Sequence, residues 1–379
     1  MNSPAVVAPA VEGKRPATIY IAIELSQSKW VIGAHTPLAD KISIYRLAAG
    51  DTHGLLTLIA RLKEKVEGLM GHPPEVVSCY EAGYDGFWLH RFLEMHDIPN
   101  RVLDSASIQV NRRARRVKTD RIDVEGLVRV LMAYCRGEQR VCAILRVPNV
   151  EDEDAKRLHR ERERLVRERV QHTNRIRGLL ATQGVEHFRP TRRDWEKRLN
   201  GLCTGDGRAL PPQLKAEIGR ECRRLALVLE MIKEVEKERD AASVSDAKTE
   251  MLAKLKGIGP AFATVLRREV FYRAFNNRRE LGGYVGLTPA PYDSGDTHRD
   301  QGISKAGNPR ARTLAIELAW LWLRHQPGTA VSQWFQERVG ASKGRVRRIA
   351  IVAVARKLLV ALWRYVETGL LPTGAEVKE

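Results

Sequence analysis

The sequence lacks a cysteine framework. It has five cysteines, and none of them form a CxxC pair. The absence of such pairs argues against a zinc ribbon and against a redox-active dithiol. An odd number of cysteines without a framework is typical of a reducing compartment, so we expect a cytoplasmic protein whose thiols act as small hydrophobic side chains.

Long apolar runs are also missing. No stretch of about 18 apolar residues occurs, which argues against a membrane-spanning helix. The first residues do not show the order of charge and then apolar core that marks a signal peptide, and we expect residues 1–16 to form a disordered tail. The length of 379 residues and the hydrophobic content of 43% favour two folded domains joined by a connector.

Positive charge is present in excess. The chain has 64 lysines and arginines against 46 acidic residues, a net charge of +18. This excess predicts a polyanionic partner, with nucleic acid favoured over an anionic membrane surface. One basic run comprises Arg112, Arg113, Arg115, Arg116 and Lys118. It is expected to hold phosphates, although a solvated basic surface is the alternative.

Residues 17–148 have the pattern of an α/β domain. Isoleucines alternate with other residues at 19–23, and polar turns divide residues 18–47 into three short antiparallel strands. Apolar residues at helical spacing follow at 55–69, then a strand at 75–80, a helix near 87–95 and a strand near 101–103. This is the element order of an RNase H-like domain, which other α/β folds can also produce.

Four carboxylates are candidate metal ligands in this domain: Glu24, Glu81, Asp120 and Asp123. Glu24 lies on the strand face opposite the isoleucines, Glu81 ends the fourth strand, and the aspartates share one side of a helix. In an RNase H-like sheet the first and fourth strands are neighbours, so we expect an oxygen-ligand site for Mg²⁺ or Mn²⁺. The alternatives are helix capping by the aspartates and a loop carboxylate at 81; Asp104 is a substitute ligand or a cap.

Residues 149–245 are dense in charge and predict two long helices. Leu158, Leu165 and Leu179 fall on a seven-residue step that His172 shares, and apolar residues at 225–235 step by three and four. This pattern favours a coiled-coil hairpin or dimer arm with its tip near residues 201–212. A solvated helical linker is the alternative.

Residues 246–370 are expected to be mostly helical, followed by a tail at 371–379. The GIGP sequence at 257–260 resembles a helix-hairpin-helix, in which the backbone N–H groups of Gly257 and Gly259 meet a DNA phosphate. A plain joint between two helices is the alternative. Residues 286–308 are predicted to be a long turn-rich loop, and such loops often carry function.

Within that loop Ser294 precedes a glycine, and this could leave its hydroxyl exposed. Arg299, Lys305, Arg310 and Arg312 follow it and could neutralise a phosphate. A serine hydroxyl needs such electrostatic help to attack phosphorus. From spacing alone, a structural turn is the favoured interpretation.

The motifs together resemble the IS-one-ten family of DEDD transposases, which includes the Piv-type DNA invertases. The resemblance covers roughly residues 18–365, and the motifs occur in the family's order. They are EAGY at 81–84, KTDRID at 118–123, GIGP at 257–260, GLTP at 286–289 with Ser294-Gly295, and ISKAGN at 303–308.

The resemblance implies a RuvC-like domain with four metal-binding acids, a coiled-coil arm and a serine transposase domain. Matched by motif, the acids are Glu24, Glu81, Asp120 and Asp123, and the nucleophile is Ser294. It further implies a covalent serine–DNA link, a guide noncoding RNA encoded by the element, and homodimers that assemble into tetramers on DNA. The family's first acid is normally aspartate, so Glu24 departs from the pattern and places its carboxylate one methylene further out.

Within the resemblance, a site-specific DNA invertase is an alternative to a transposase, and two further hypotheses compete with both. A Holliday-junction or other structure-selective endonuclease would use only the acids and would leave no covalent adduct. A non-catalytic nucleic-acid-binding protein would show no Mg²⁺-dependent reaction. If the transposase hypothesis holds, we expect the arm to let the acids of one subunit meet the serine of another.

Overall fold

The computed structural model describes residues 17–83, 85–108, 119–138, 140–241, 246–294 and 297–378, and for residues 106, 292–294 and 297–300 the backbone only. The strands are β1 (Thr18–Leu25), β2 (Lys29–Thr36), β3 (Ala39–Ala48), β4 (Glu75–Glu81), β5 (Asn100–Leu103), β6 (Pro289–Ser294) and β7 (Thr297–Ile303). The helices are α1 (Thr52–Met70), α2 (Trp88–Met95), α3 (Asp120–Cys135), α4 (Val150–Asp154), α5 (Arg157–Ala181), α6 (Trp195–Asn200), α7 (Pro212–Ala241), α8 (Ala247–Lys254), α9 (Pro260–Glu269), α10 (Arg278–Tyr284), α11 (Pro309–His325), α12 (Ala330–Val339) and α13 (Arg345–Thr368).

The chain forms two compact units, Met1–Val147 and Pro148–Glu379. The second unit contains both the helices predicted as an arm and the helices predicted as a separate domain. In the parts of the chain that the structure describes, no helix is both long and apolar enough to cross a membrane.

The first unit is built on a five-stranded mixed sheet of order β3-β2-β1-β4-β5. The first three strands are antiparallel, and β4 and β5 run parallel to β1. The predicted α/β layout is confirmed. Ile19, Ile21 and Ile23 are fully buried in the core that α1 and α2 complete, while Ala22 and Cys79 face α3 on the other side. The alternation of residues along β1 therefore assigns Glu24 to the α3 side.

In the second unit, α5 and α7 pack side by side over most of their length. The apolar residues predicted to face inward on the second helix, Leu225, Val228, Ile232 and Val235, are all buried. Ion pairs join the two helices at Arg162–Glu236 (2.6 Å) and Arg175–Glu217 (2.7 Å). The remaining helices, α8 to α13, share one core that includes the fully buried Trp322.

The prediction of a long loop at residues 286–308 is wrong. Residues 289–303 contain the antiparallel hairpin of β6 and β7, in which Tyr292 pairs with Arg299 and Ser294 with Thr297. The sequence did not indicate the first strand because it contains Pro289 and Pro291, and proline lacks the N–H that pairing between strands uses. The register shifts between these two prolines, so the ladder accommodates them at an irregularity.

The segment predicted as a C-terminal tail packs on the second unit. Val377 forms a β-bridge with Leu255, and the Lys378 ammonium donates to the carbonyls of Ala253 (2.7 Å) and Ile258 (2.6 Å). These contacts join residues far apart in sequence, which explains why local pattern did not indicate them.

Candidate active site and nucleic-acid interface

Two of the predicted acids lie side by side at the C-terminal ends of the interior strands β1 and β4. Ile23 of β1 is the register partner of Tyr80 of β4, so Glu24 and Glu81 occupy the next positions on neighbouring parallel strands. By alternation they share the face on which α3 packs. Both residues are half-buried.

The other two predicted acids lie in the first turn of α3. Thr119 is the N-cap, since its hydroxyl accepts from the Ile122 N–H. Asp120 is therefore not needed as a cap. Its carboxylate instead pairs with the Lys29 ammonium at 2.8 Å. The Lys29 hydrogen bond and charge lower the pKa of Asp120 below its ordinary value.

The donor chemistry of these acids fits a hard divalent cation, because all four are carboxylates. Their arrangement does not yet form a ligand set: among the described residues no group of three or more His, Cys, Asp or Glu side chains is placed to hold a metal ion. Lys29 already binds the Asp120 carboxylate. A bound metal would have to replace that contact with its own positive charge.

Two sequence motifs of the second unit form a single backbone platform, which we define as residues 284–288 and 303–308. The Ser304 N–H donates to the Thr288 carbonyl (2.8 Å), and the Asn308 N–H donates to the Tyr284 carbonyl (2.7 Å). Arg312, a residue that follows the predicted nucleophile, donates to the carbonyls of Val285, Lys305 and Ala306 at 3.0–3.4 Å. Its guanidinium therefore braces the platform.

Glycine is required at two positions of the platform. Gly286 has φ +65°, and a Cβ added there would lie 1.9 Å from the Ala306 carbonyl oxygen. Gly307 has φ +81°, and its Cβ would lie 2.3 Å from the Tyr284 carbonyl oxygen. At these two positions the backbone segments of the platform are too close together to leave room for a Cβ. The platform joins the two ends of the β6–β7 hairpin, and Ser294 lies at the opposite end of β6.

We expect Gly286→Ala to lower the free energy of unfolding of the second unit by on the order of 4 kcal/mol, because the clash with Ala306 adds to the strain of a positive φ. Gly369→Ala is the matched control: Gly369 has φ +76° with nothing within 4 Å of the added Cβ. It should cost only about 1–2 kcal/mol. Urea denaturation followed by circular dichroism checks both, and equal losses would contradict the close-approach explanation.

The GIGP sequence forms the turn between α8 and α9. Gly257 has φ +88°, and the exposed Gly259 is the N-cap of α9, with Pro260 at the first helical position. Lys378 from the C-terminal segment covers the Ile258 carbonyl in this turn. The exposed part of the turn is thus the α9 N-terminus, the end of a helix that favours an anion.

A buried charged cluster that the sequence did not indicate connects the platform to α5. Glu269 is 1% exposed. Its carboxylate accepts hydrogen bonds from His159 (2.6 Å), from Arg160 at both oxygens (2.7 and 3.0 Å) and from Asn308 of the platform (3.3 Å). Tyr284 donates to the Glu269 carbonyl. Since His159 and Arg160 lie about a hundred positions away along the chain, no local sequence pattern could have indicated the cluster.

Glu269 remains ionised despite its burial. Burial alone raises the pKa of its carboxyl, but the hydrogen bonds and charges of His159 and Arg160 outweigh that effect and hold the pKa well below its ordinary value. A buried carboxylate needs such partners, because an unpaired charge is costly to desolvate. The cluster therefore links α5 and α9 to the platform, and its removal should weaken the platform.

The predicted phosphate-binding side chains have different positions. Arg112, Arg113, Arg115, Arg116 and Lys118 lie outside the described residues, as do the side chains of Arg299 and Ser294. Lys305 is exposed, with φ +57°. Arg310 forms an ion pair with Glu163 at 3.0 Å. Arg312 donates to the platform carbonyls, so of the three described cations only the Lys305 side chain is held neither by a carboxylate nor by backbone carbonyls of the described residues.

Comparison with known proteins gives consistent matches. A family model described as "Transposase IS116/IS110/IS902 family" matches residues 249–333. The chain is 50% identical over 374 residues to the putative transposase y4rJ of Sinorhizobium fredii, covering 95% of this chain and 94% of that protein. It is 27% identical over 332 residues to the transposase for insertion sequence element IS1111A of Coxiella burnetii, covering 84% and 86%. The transposase for insertion sequence element IS1328 of Yersinia enterocolitica is 29% identical over 251 residues, covering 65% and 71%.

The residues matched by the family model include the turn between α8 and α9, the platform, and the β6–β7 hairpin. The relative at 50% identity extends the similarity over the first unit as well.

Proposed function

The chain belongs to the IS116/IS110/IS902 family of transposases, and on that premise we propose that it recombines DNA through a covalent intermediate on Ser294. As an insertion-sequence transposase it cuts and joins DNA. The observation that carries the finer proposal is the platform: two glycine-dependent motifs within the matched region hold both ends of the hairpin whose first strand ends at Ser294.

The proposed reaction consists of two exchanges at phosphorus. The Ser294 hydroxyl attacks a phosphodiester: an O–P bond to serine forms, the bond to one sugar oxygen breaks, and that oxygen takes up the proton that the serine gives up. A hydroxyl at another DNA end then attacks the seryl phosphodiester and releases the serine. Each step exchanges one ester for another, so no energy source is needed. Lys305 and Arg299 would neutralise the phosphate charge that builds up.

The acids of the first unit are proposed to serve the same chemistry. Glu24, Glu81, Asp120 and Asp123 would hold Mg²⁺ or Mn²⁺ through carboxylate oxygens, and a bound ion would supply charge neutralisation at the reacting phosphate. The shared face of Glu24 and Glu81 supports this role. Lys29 pairs with Asp120 and lowers the pKa of its carboxyl, and a bound ion would take over that contact.

The partners proposed are DNA, an element-encoded guide RNA and further copies of this chain. The net charge of +18 supports nucleic-acid partners. Exposed apolar residues on the arm support self-association: Val170 on α5 is 46% exposed, and Leu227 on α7 is 52% exposed. A dimer of hairpin arms would bury these side chains.

The test uses the purified full chain, RNA transcribed from the DNA that flanks its gene, and a plasmid that carries the gene with that flanking DNA. With Mg²⁺ we expect a protein–DNA adduct that survives denaturing electrophoresis and is removed by protease, with the modified peptide containing Ser294. Chelation of the metal should prevent it. Nicks with free ends and no adduct would support a structure-selective endonuclease instead. No reaction on any DNA, with binding intact, would support a non-catalytic protein.

A further inference from the structure

A basic groove lies between the base of the β6–β7 hairpin and helix α13. Its volume is about 1010 Å³. Arg278 of α10 and Lys305 of the platform contribute two cations to its lining. The other cations come from α13: Arg345, Arg348, Arg356, Lys357 and Arg364. No carboxylate is among the described residues that line it.

The spacing of α13 explains the basic stripe. The lining residues Arg345, Arg348, Val352, Arg356, Val360 and Arg364 recur at steps of three and four, so they form a continuous stripe that winds gradually around the helix. From Arg345 to Arg364 the helix advances about 28 Å at 1.5 Å per residue. The stripe is therefore long enough to contact several successive phosphates of a strand.

The charge of the groove is not neutralised by the described protein. None of its cations forms an ion pair with a described carboxylate. A second cavity of the same unit, of about 920 Å³, provides the contrast: its lining includes Glu163 and Glu269, and its Arg310 is paired with Glu163. The two cavities are similar in size, but only the groove has a lining whose positive charge is not neutralised by carboxylates, and this charge would attract a polyanion.

The floor of the groove is apolar. Val352 and Val360 of α13 lie between the arginines, and Ile349 at the same face is 56% exposed. The hairpin contributes Pro289 and Ile303. The groove therefore fits a ligand that carries regularly spaced negative charges, which its cations would bind, and an exposed apolar surface, which would pack on its apolar floor. An unpaired nucleic-acid strand has both, whereas the bases of a duplex are stacked and covered.

We propose that this groove binds an unpaired DNA strand that continues from the nucleotide joined to Ser294. The inference rests on the proposed function, because it uses the position of Ser294 at the far end of the strand that begins at Pro289. DNA is chosen over RNA since the groove adjoins the hairpin that carries the nucleophile. The groove would hold the cut strand during exchange.

The test compares two triple variants of the full chain in binding to a fluorescent single-stranded DNA over a range of salt. Arg345, Arg348 and Arg364 are changed to alanine in the groove variant; all three are exposed. The control variant changes Arg223, Arg324 and Arg338, which are exposed and line neither cavity. The net charge of both variants falls equally, so only the position of the lost charge differs.

We expect the groove variant to bind on the order of fifty times more weakly, with the slope of log affinity against log salt reduced by about 2, from three lost phosphate contacts. The control should change little. A third variant, Ile349→Ser, should weaken binding about fivefold with the slope unchanged, because it removes apolar contact and no charge. Equal losses in the two triple variants would overturn the proposal.

Binding measurements with other ligands identify what the groove binds. Tighter, groove-dependent binding of RNA of the same sequence, equal binding of duplex DNA, or groove-dependent binding to anionic lipid vesicles would each overturn the assignment to unpaired DNA. The experiments test the groove and the serine intermediate independently. Groove-dependent strand binding without any adduct would reject only the serine intermediate, and an adduct with unaffected strand binding would reject only the groove.

Discussion

Ser294→Ala is expected to abolish the covalent protein–DNA adduct and strand joining, while DNA binding persists. The substitution removes one oxygen, and without it no O–P bond to the protein can form. Loss of a nucleophile in this kind of chemistry lowers the rate by at least about a thousandfold. No charge is lost, so affinity for DNA and its salt dependence should be unchanged.

Ser304→Ala is the matched control for this experiment. Ser304 is exposed and lies on the platform, where its backbone N–H makes the bond to Thr288 that alanine retains. This variant should join DNA at close to the wild-type rate. Gel electrophoresis of radiolabelled DNA measures both adduct and joined product. Joining that continues at the wild-type rate in Ser294→Ala would remove the serine from the mechanism.

Glu269→Gln is expected to lower the free energy of unfolding by about 3–5 kcal/mol, the range found when one partner of a buried ion pair is removed. Arg160 would lose a charged acceptor on both of its bonds, and water has little access to His159 and to position 269, whose side chains are 7% and 1% exposed. The loss should extend to the platform, because Asn308 donates to the same carboxylate.

Glu217→Gln tests whether the large loss of unfolding free energy depends on the burial of the ion pair. Glu217 pairs with Arg175 at 2.7 Å, but both side chains are well exposed, so this change should cost no more than about 1 kcal/mol. Urea denaturation at neutral pH compares the two variants. Similar small losses would show that the Glu269 cluster contributes little.

The acid dependence of stability provides an independent check on Glu269. Its pKa in the folded protein is below the ordinary value of 4.5. The carboxylate therefore stabilises the fold at pH values above 4.5, and that contribution is lost as the pH falls towards the folded-state pKa. The Gln variant lacks this group, so its stability should fall less steeply below pH 4.5. Parallel curves for wild type and variant would contradict the assignment.

Much of the first unit could be predicted because its signals are local. Alternation at Ile19, Ile21 and Ile23 marked both the strand and its buried face, and the helical spacing at 55–69 marked α1. The same alternation correctly assigned Glu24 to the opposite face. Asp120 was placed correctly at the start of α3, but its pairing with Lys29 was not foreseen, since the two residues come from different elements.

In the second unit the sequence revealed motifs without their relation to each other. GLTP and ISKAGN were recognised as motifs within one predicted loop, and only the structure shows their backbones in contact at Gly286 and Gly307. The hairpin between them was missed because prolines and polar residues are poor indicators of a strand. In the sequence, Arg356, Lys357 and Arg364 are charges within an apolar stretch, but only the burial of the other faces of α13 decides that they line a groove.

By itself the sequence determined the α/β sheet, the long helices, the excess of positive charge and, through the order of its motifs, the family. These depend on periodicity and composition, which act over a few neighbouring residues. The tertiary structure alone decided which motifs meet, that Glu269 is buried among His159 and Arg160, and that one of two cavities keeps its positive charge. Those outcomes depend on contacts between residues far apart in the chain, where desolvation and close packing, rather than local preference, select the arrangement.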